Sequence, residues 1–292
     1  MFDTGSSFNI IDYELAQKMG LREEGTCSKT ITGFSKKVRY DSIAYAINEI
    51  SIGTFKTKDT LLLNKYKGFF LDSLGFIDGV GAILGMETIR HFNWMFNFED
   101  NTVTISKGKI TPPWFSDDQI LTLNYFYYKG TTTMYLSIDD ITIKNVTFDT
   151  GLGGSSIQFA GREKDYDIVF SKSDCELFIS NHKQPYFALP ANNLEGARAI
   201  ILDSMQINDY TMQGVIAAER RDYYQTYFTA NFVRRFRMMY FDSTNRKIEL
   251  YVSPSDSTRH HRRDIQMFIR ALSQHGDDGG GPEIPSSIVD LW

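Results

Sequence analysis

The sequence predicts an all-β, mainly β fold with few short helices, built as two lobes that repeat one pattern. The strand prediction depends on stretches in which apolar and polar residues alternate and β-branched and aromatic residues are frequent, namely YDSIAYAINEISIG, YLSIDDITIKNVTF and NWMFNFEDNTVTIS. The prediction of two lobes depends on an internal repeat, because the tetrapeptide Phe-Asp-Thr-Gly occurs from Phe2 and again from Phe148.

A short helix is predicted directly after the first copy of the tetrapeptide. Asp12 can cap the segment YELAQKM, in which Leu15 and Met19 share one face. Gly20 is suited to end this helix, because glycine tolerates the left-handed backbone of a helix C-terminus. Other helices are expected to be few and short.

The repeat extends well beyond the tetrapeptide. Asp3 and Asp149 lie 146 residues apart (149 minus 3), and Ile89 and Val233 lie 144 apart (233 minus 89). The segment IRHFNWMFNFEDNTVTIS aligns with VRRFRMMYFDSTNRKIELYV, and each copy predicts a short helix, a strand, a polar turn and a strand. The aligned pairs include Ile89 with Val233, Phe92 with Phe236, Phe96 with Tyr240 and Phe98 with Asp242.

The repeat divides the chain into three parts. Residues 1–110 are predicted to form an N-terminal lobe and residues 111–253 a C-terminal lobe, with the segment TPPW at the junction. Residues 254–292 are predicted to be a partly flexible tail, because they include GDDGGGPEIPSS. No role is assigned to the tail.

Composition excludes several classes of function. The net charge of -5, with 42% hydrophobic and 23% charged residues, leaves no polybasic face for nucleic acid. No apolar run reaches the length of a membrane span. The histidines and cysteines lack the spacing of metal ligands, so neither a metal nor another cofactor is expected.

The two copies of Asp-Thr-Gly suggest a pair of carboxylates. Two carboxylates that meet in a shielded cleft cannot both ionise readily, so Asp3 and Asp149 would share a proton. One could then act as a general base on water while the other donates a proton to a carbonyl oxygen. Each glycine that follows permits a tight turn, and the Thr4 and Thr150 hydroxyls can bond between the two loops.

The chain resembles the aspartic proteases of the pepsin and retropepsin group, most closely bacterial retropepsin-like members with two lobes in one chain. The matching motifs are FDTGSS, FDTG and AILGMETIRHF, in which Ile83, Leu84 and Gly85 correspond to a strand that passes the catalytic loop. The resemblance implies a bilobal acid-protease fold and aspartic endopeptidase activity on an extended peptide or protein substrate. It implies catalysis by Asp3 and Asp149, with loop support from Thr4, Gly5, Ser6, Thr150 and Gly151. It also implies a monomer that forms an intramolecular pseudo-dimer.

A substrate-covering flap is expected from the same resemblance. The candidate is the hairpin SKTITGFSKKVRYD, with its tip at Thr32, Gly33, Phe34 and Ser35. An ordinary surface hairpin is the alternative interpretation of this segment. Subsite pockets cannot be located from the sequence.

The second copy departs from the family pattern. Leu152 stands where the first copy has Ser6, and an additional Gly-Gly precedes SSIQF. Thr229 stands where the first copy has Gly85, which would be costly if that position required positive φ or close backbone contact. These departures favour, as alternatives, an inactive peptide-binding relative or a β-rich protein in which the Asp-Thr-Gly turns are incidental.

A further departure lies at the start of the sequence. About 24 residues of strand pattern precede Phe148, whereas Met1 alone precedes Phe2. The first lobe is therefore expected to lack its first strands, and Met1 is expected not to be the natural start. The compartment is left open, since an export signal to the periplasm or cell surface would lie in the missing residues.

Overall fold

The fold is described from a computed structural model of the chain. Strands dominate, so the predicted mainly β fold class with few short helices is confirmed. The residues that the structure describes are 1–32, 37–46, 51–52, 55–56, 67–70, 81–113, 120–152, 166–183, 186–188, 198–220 and 225–252.

The part of the chain before residue 113 contains nine described strands and two described helices. The strands are β1 (Ile10–Ile11), β2 (Glu23–Thr32), β3 (Lys37–Ala46), β4 (Ser51–Ile52), β5 (Phe55–Lys56), β6 (Lys67–Phe70), β7 (Ala82–Ile83), β8 (Asn93–Asn97) and β9 (Thr102–Ser106). The helices are α1 (Tyr13–Lys18) and α2 (Met86–Ile89).

The part after residue 119 contains the remaining described elements. The strands are β10 (Ile120–Asn124), β11 (Phe126–Tyr128), β12 (Thr131–Ile138), β13 (Ile141–Phe148), β14 (Ile168–Ser171), β15 (Phe187–Ala188), β16 (Arg198–Ile207), β17 (Tyr210–Arg220), β18 (Tyr227–Phe228), β19 (Met238–Asp242) and β20 (Lys247–Tyr251). The helices are α3 (Lys172–His182) and α4 (Ala230–Arg234).

The described strands form four sheets, one of which contains only β4 and β5. One has the order β2-β3-β6-β1-β7, and a larger one has the order β11-β12-β13-β18-β14-β17-β16-β15. The third, called the central sheet below, has the order β10-β20-β19-β8-β9 and joins strands from both halves of the sequence. β8 and β19 meet antiparallel at its middle, with Trp94 opposite Phe241. Side chains from the central and larger sheets share one extended apolar core.

The predicted helix after the first tetrapeptide is present as α1. Asp12 caps it, because its carboxylate accepts a hydrogen bond from the Leu15 amide at 3.0 Å. Gly20 follows with φ of +62°, the left-handed conformation that the prediction required. Ser171 caps α3 in the same manner, accepting from the Asp174 amide at 3.2 Å. The two repeats therefore start their helices with the same device.

The two hairpins of the central sheet are equivalent with an offset of 145 residues (242 minus 97). Asn97 ends β8 and accepts from the amide of Asp100, while Asp242 ends β19 and accepts from the amide of Asn245. This equivalence corrects the sequence alignment, which paired Phe98 with Asp242. Polar turn residues alone did not reveal the difference of one position.

The second Asp-Thr-Gly loop is followed by a longer insertion than the two glycines that the alignment indicated. In the first repeat Asp12 follows Ser6 by six residues, whereas its counterpart Ser171 follows Leu152 by nineteen. The strand that occupies the place of β1 is β14, so thirteen residues, 153–165, are added between the loop and this strand. These residues lie outside the described part of the chain.

Candidate functional site

The two Asp-Thr-Gly loops meet through reciprocal hydrogen bonds between their threonines. The Thr4 amide donates to the Thr150 hydroxyl at 3.1 Å, and the Thr150 amide donates to the Thr4 hydroxyl at 3.1 Å. The Thr4 hydroxyl donates to the Phe148 carbonyl at 2.5 Å, and the Thr150 hydroxyl to the Phe2 carbonyl at 2.9 Å. These bonds connect segments 146 residues apart and hold the two loops in a fixed relation.

The carboxyl groups of the two loops are held in the same way. The amides of Gly5 and Ser6 donate to Asp3 Oδ1 at 2.9 and 3.0 Å. The amides of Gly151 and Leu152 donate to Asp149 Oδ1 at 3.0 and 2.8 Å. The Asp3 carboxyl group lies against Gly151 and the Asp149 carboxyl group lies against Gly5, so the two acids approach each other across the interface of the loops. The structure thus brings the two predicted acids into one half-buried site.

Each loop needs its glycine because the carboxyl group of the other loop lies against it. A Cβ atom on Gly5 would overlap the Asp149 carboxyl group, and one on Gly151 would overlap that of Asp3. Neither glycine has positive φ among the described backbone angles, so the requirement is for space. From the sequence, each glycine was instead expected to permit a tight turn of the backbone.

Parallel backbone bridges support both loops from behind. The Asp3 amide donates to the Leu84 carbonyl at 2.9 Å, and the Asp149 amide to the Phe228 carbonyl at 2.9 Å. The start of α2 binds the first loop, because the Met86 amide donates to the Ser6 carbonyl. The start of α4 binds the second loop in the same way, through the Ala230 amide and the Leu152 carbonyl. The predicted segment at Leu84 therefore lies against the first loop, as the resemblance implied.

Gly85 and Thr229 occupy equivalent positions but meet different neighbours. Both have extended backbone, with φ of -96° and -95°, so neither position requires positive φ. Gly85 is needed because an added Cβ would overlap the Phe8 carbonyl. The buried Thr229 hydroxyl instead caps α4 and donates to the Tyr166 carbonyl. The loss of stability expected for threonine at position 229 is therefore wrong, because its hydroxyl forms hydrogen bonds that stabilise the start of α4 and the neighbouring backbone.

The variant Gly85→Ala is expected to destabilise the protein by about 1–3 kcal/mol, since the new methyl group overlaps backbone that cannot move away freely. Urea denaturation would measure the change. Gly108→Ala is the matched control, because its Cβ would find only Ser106 Oγ at 3.8 Å in an exposed turn. Equal stability of the two variants would contradict the close contact at Gly85.

Electrostatics raises the pKa of both carboxyl groups. Burial is the larger cause of the raised pKa at Asp3, and backbone and side-chain hydrogen bonds partly oppose it. Burial also raises the pKa of Asp149, and the negative charge of Asp3 raises it further. Because each charge disfavours the other, the two groups titrate as a pair.

Ser6 and Leu152 stand at equivalent positions in the two loops but contact different groups. The Ser6 hydroxyl donates to the Phe8 carbonyl at 2.7 Å, so it braces its own loop. Leu152 is buried at the equivalent position and cannot form that bond. Both carboxyl groups nevertheless receive the same pair of backbone amides, which explains how leucine is accommodated.

The predicted flap falls only partly within the described residues. β2 and β3 form a long antiparallel hairpin in which Thr32 pairs with Lys37. Thr32 therefore lies at the end of β2, while Gly33, Phe34 and Ser35 lie outside the described residues. The hairpin is present, and its role as a flap remains a prediction.

One neighbour of the site was not found from the sequence. The turn between β11 and β12 reaches the first loop, because a Cβ on Gly130 would overlap the Ser7 side chain. Gly130 has φ of +83° and Lys129 has φ of +51°, the geometry of a tight hairpin turn. The dipeptide Lys-Gly before a β-patterned segment could have indicated the turn, but not its partner.

The other predicted properties concern metals and membranes. Among the described residues, no group of three His, Cys, Asp or Glu side chains is arranged to hold a metal ion. Within the same residues, every helix is too short or too polar to cross a bilayer.

No protein-family model and no curated protein matches the chain. Solved structures that resemble it include a retropepsin-like aspartic protease from Rickettsia conorii, at 19% identity and TM-score 0.31, covering 46% of this chain and 90% of that one. An aspartic proteinase from Irpex lacteus aligns at 11% identity and TM-score 0.49 over 89% and 91% of the two chains. Soybean Basic 7S globulin aligns at 9% identity and TM-score 0.41 over 88% and 89%.

The described part of the chain is mainly β, with few helices. Two of the three similar structures are aspartic proteases.

Proposed function

We propose that the protein is an aspartic-type endopeptidase in which Asp3 and Asp149 activate a water molecule. The observation that supports this most strongly is the approach of two half-buried carboxyl groups, each packed against the glycine of the opposite, reciprocally braced loop. Such a pair holds one proton between two acids, which supplies a base and an acid at the same place. The reaction needs neither a metal nor a covalent intermediate.

The two acids take complementary roles, and we propose Asp3 as the base and Asp149 as the acid. In this scheme Asp149 begins with the shared proton and Asp3 begins ionised. Asp3 takes a proton from water as the water oxygen bonds to the peptide carbonyl carbon, while Asp149 gives its proton to the carbonyl oxygen. The resulting gem-diol then loses a proton to Asp149, the C–N bond breaks, and the amine leaves with the proton held by Asp3. The pair returns to its singly protonated state.

The substrate is proposed to be an extended peptide or protein segment. The hairpin of β2 and β3 would act as the flap through Thr32, Gly33, Phe34 and Ser35, adding backbone hydrogen bonds to the peptide. Residues 1–110 and 111–253 would form the two lobes on either side of the cleft. Both acids come from one chain, so a monomer suffices.

A cleavage assay with a statine-containing peptide tests the activity itself. The statine hydroxyl imitates the gem-diol, so it should bind more tightly than a substrate peptide and block cleavage of an unfolded protein. Inhibition by a chelator but not by statine would contradict the proposal.

A peptide-binding protein without catalysis is the second candidate. It is favoured by the thirteen residues added directly after Leu152, where the first repeat passes straight into its next strand. Statine-peptide binding without cleavage by the full chain would support this candidate over the peptidase.

The stability of the protein is expected to fall as pH rises, because both acids have a raised pKa in the folded state. The sign follows from linkage: the folded state binds the shared proton more tightly than the unfolded state, so stability is greatest at acidic pH and is lost toward neutral pH. Each unit of raised pKa corresponds to about 1.4 kcal/mol. The variant Asp149→Asn should therefore be more stable than the wild type at pH 7 and equal to it near pH 3.

Urea denaturation at several pH values would measure this difference. Asp140→Asn is the matched control, since Asp140 is exposed in the turn between β12 and β13. If the free energy of unfolding differed between Asp149→Asn and the wild type by the same amount at all pH values, the raised pKa of the acids in the folded state would be contradicted.

A further inference from the structure

The turn between β19 and β20 joins segments that lie far apart in the sequence. The Ser243 hydroxyl lies 3.3 Å from the Ile89 carbonyl and 2.6 Å from the Phe92 carbonyl, so it sits against the end of α2. At the other end of the turn, the Tyr125 amide donates to the Arg246 carbonyl at 3.0 Å. The turn therefore brings the end of α2 close to the start of β11.

Two arginines lie near Tyr127 in this cluster. The Arg246 guanidinium is 5.8 Å from the centroid of the Tyr127 ring. Arg90 is the residue that ends α2, between the two carbonyls that the Ser243 hydroxyl contacts. Burial raises the pKa of the Tyr127 hydroxyl, whereas the charges of Arg90 and Arg246 lower it. Both positive charges therefore lie within electrostatic reach of this hydroxyl.

Neither arginine is neutralised by an acid in the described part of the chain. Arg198, by contrast, pairs with Glu219 at 2.6 Å. Arg90 donates through Nε to His91 Nε2 at 3.4 Å, and no described group accepts from its two terminal nitrogens. Both Arg90 and Arg246 are exposed. Their guanidinium groups are therefore available to a ligand that carries negative charge.

The acid of the same turn is already hydrogen-bonded. Asp242 is buried, and its carboxylate accepts from the Asn245 amide at 2.9 Å and from the Asn245 side chain at 2.7 Å. Burial is the main cause of the raised pKa of Tyr125, and the charge of Asp242 adds to it. The carboxylate thus serves the turn and the deeper tyrosine, and it forms no ion pair with Arg246.

The first repeat does not place two cations together at the equivalent turn. With the offset of 145 residues, Asn101 holds the place of Arg246, and both have left-handed backbone, with φ of +53° and +56°. Asparagine suits this conformation better than most residues that have a side chain. The backbone of the turn therefore gives no reason for an arginine at position 246.

We propose that Arg90, Arg246 and Tyr127 bind a phosphoryl group, either of free inorganic phosphate or of a phosphorylated protein segment. Guanidinium groups bind phosphate oxygens through paired hydrogen bonds, and the tyrosine hydroxyl is a further donor. A phosphoryl group offers three strong acceptor oxygens, one for each of these groups.

Binding at this cluster does not require the proposed peptidase activity. The Tyr125 ring stacks on the Phe241 ring with centroids 5.2 Å apart, and the Phe241 ring contacts the Phe2 ring at 6.3 Å. These rings separate the cluster from the first Asp-Thr-Gly loop. A variant of the cluster can therefore lose phosphate binding without a change at Asp3.

Nuclear magnetic resonance of the full, nitrogen-15-labelled chain tests the site with inorganic phosphate as the probe. The Nε–Hε signals of Arg90 and Arg246 should shift with one common dissociation constant. The signal of Arg234, the exposed counterpart of Arg90 with an offset of 144 residues (234 minus 90), should not shift. Unchanged signals of Arg90 and Arg246, or equal shifts with chloride at the same ionic strength, would overturn the proposal.

Substitutions show whether the two arginines act together. Arg90→Gln and Arg246→Gln should each weaken phosphate binding at least about tenfold, because each removes a charge and a fork of donors. Arg234→Gln is the matched control and should change the affinity less than about twofold. Wild-type affinity in either Arg90→Gln or Arg246→Gln would overturn the proposal.

A phosphoserine peptide and its unphosphorylated form distinguish the two sources of the phosphoryl group. Both possible sources require that the phosphorylated form shifts the signals of Arg90 and Arg246 and that the unphosphorylated form does not. Affinity at least about tenfold above that of inorganic phosphate would assign the site to a phosphorylated protein segment. Equal affinity would assign it to the free anion. Equal binding of the two peptides would overturn the proposal.

Discussion

Replacement of Asp3 by Asn or of Asp149 by Asn is expected to abolish peptide cleavage, with a loss of about a thousandfold or more in kcat. Each variant keeps the size of the side chain and much of its capacity to accept from the loop amides. Asn cannot exchange the shared proton, so the pair can no longer act as both base and acid. The measurement is kcat and KM on a peptide that the wild-type chain cleaves.

Two controls separate this loss from a general defect. Asp140→Asn removes an exposed carboxyl group and should retain wild-type kcat. Near-wild-type melting of both active-site variants at acidic pH would establish that they fold. Cleavage that survived either active-site substitution would contradict catalysis by the pair.

Replacement of Thr4 by Val is expected to cost about 2–4 kcal/mol of unfolding free energy. The Thr4 hydroxyl donates to the Phe148 carbonyl and accepts from the Thr150 amide, and Val leaves both groups without that partner. Thr4 is fully buried, so water does not readily replace the lost bonds. Thr150→Val should have a similar but smaller effect, because its hydroxyl is only partly buried.

The matched variants for this prediction are Thr4→Ser and Thr142→Val. Thr4→Ser retains the hydroxyl and should recover most of the stability that Thr4→Val loses. Thr142→Val makes the same chemical change at an exposed position on β13 and should be nearly neutral. If all three variants unfolded at the same urea concentration, the reciprocal hydrogen bonds of Thr4 and Thr150 would not be what holds the two loops together.

The pairing of Asp3 with Asp149 was predictable because a short motif carried it. Asp, Thr and Gly each have a distinct physical task in the loop, and the downstream repeat made the second copy meaningful. The cap at Asp12 was predictable for the same reason, since it depends on residues only three positions apart. Local chemistry was sufficient in both cases.

The insertion after Leu152 was not predictable from the spacing. The offset between the repeats is 146 residues at the aspartates and 144 at Gly85 and Thr229, which suggested an unbroken register. Between these points it reaches 159, at the helix caps Asp12 and Ser171, because later segments of the second repeat are shorter. Compensating changes in length therefore preserved the spacing while the register changed.

Contacts between distant segments also escaped the sequence. Gly130 lies against Ser7 although 123 residues separate them (130 minus 7), and nothing local in either segment indicates the other. The role of Thr229 was misjudged for a related reason, because the space around it depends on Tyr166. Such requirements arise only when the chain is folded.

Titration of the aspartate carboxyl groups tests the central claim, that Asp3 and Asp149 hold one proton between them, without knowledge of the substrate. Carbon-13 chemical shifts of labelled aspartates would be followed with pH in the wild type and in the two Asn variants. We expect Asp149 to titrate with a raised pKa that falls in Asp3→Asn, because the neighbouring negative charge is gone. Two carboxyl groups that titrate in the ordinary range of aspartate, each unaffected by substitution of the other, would contradict the claim.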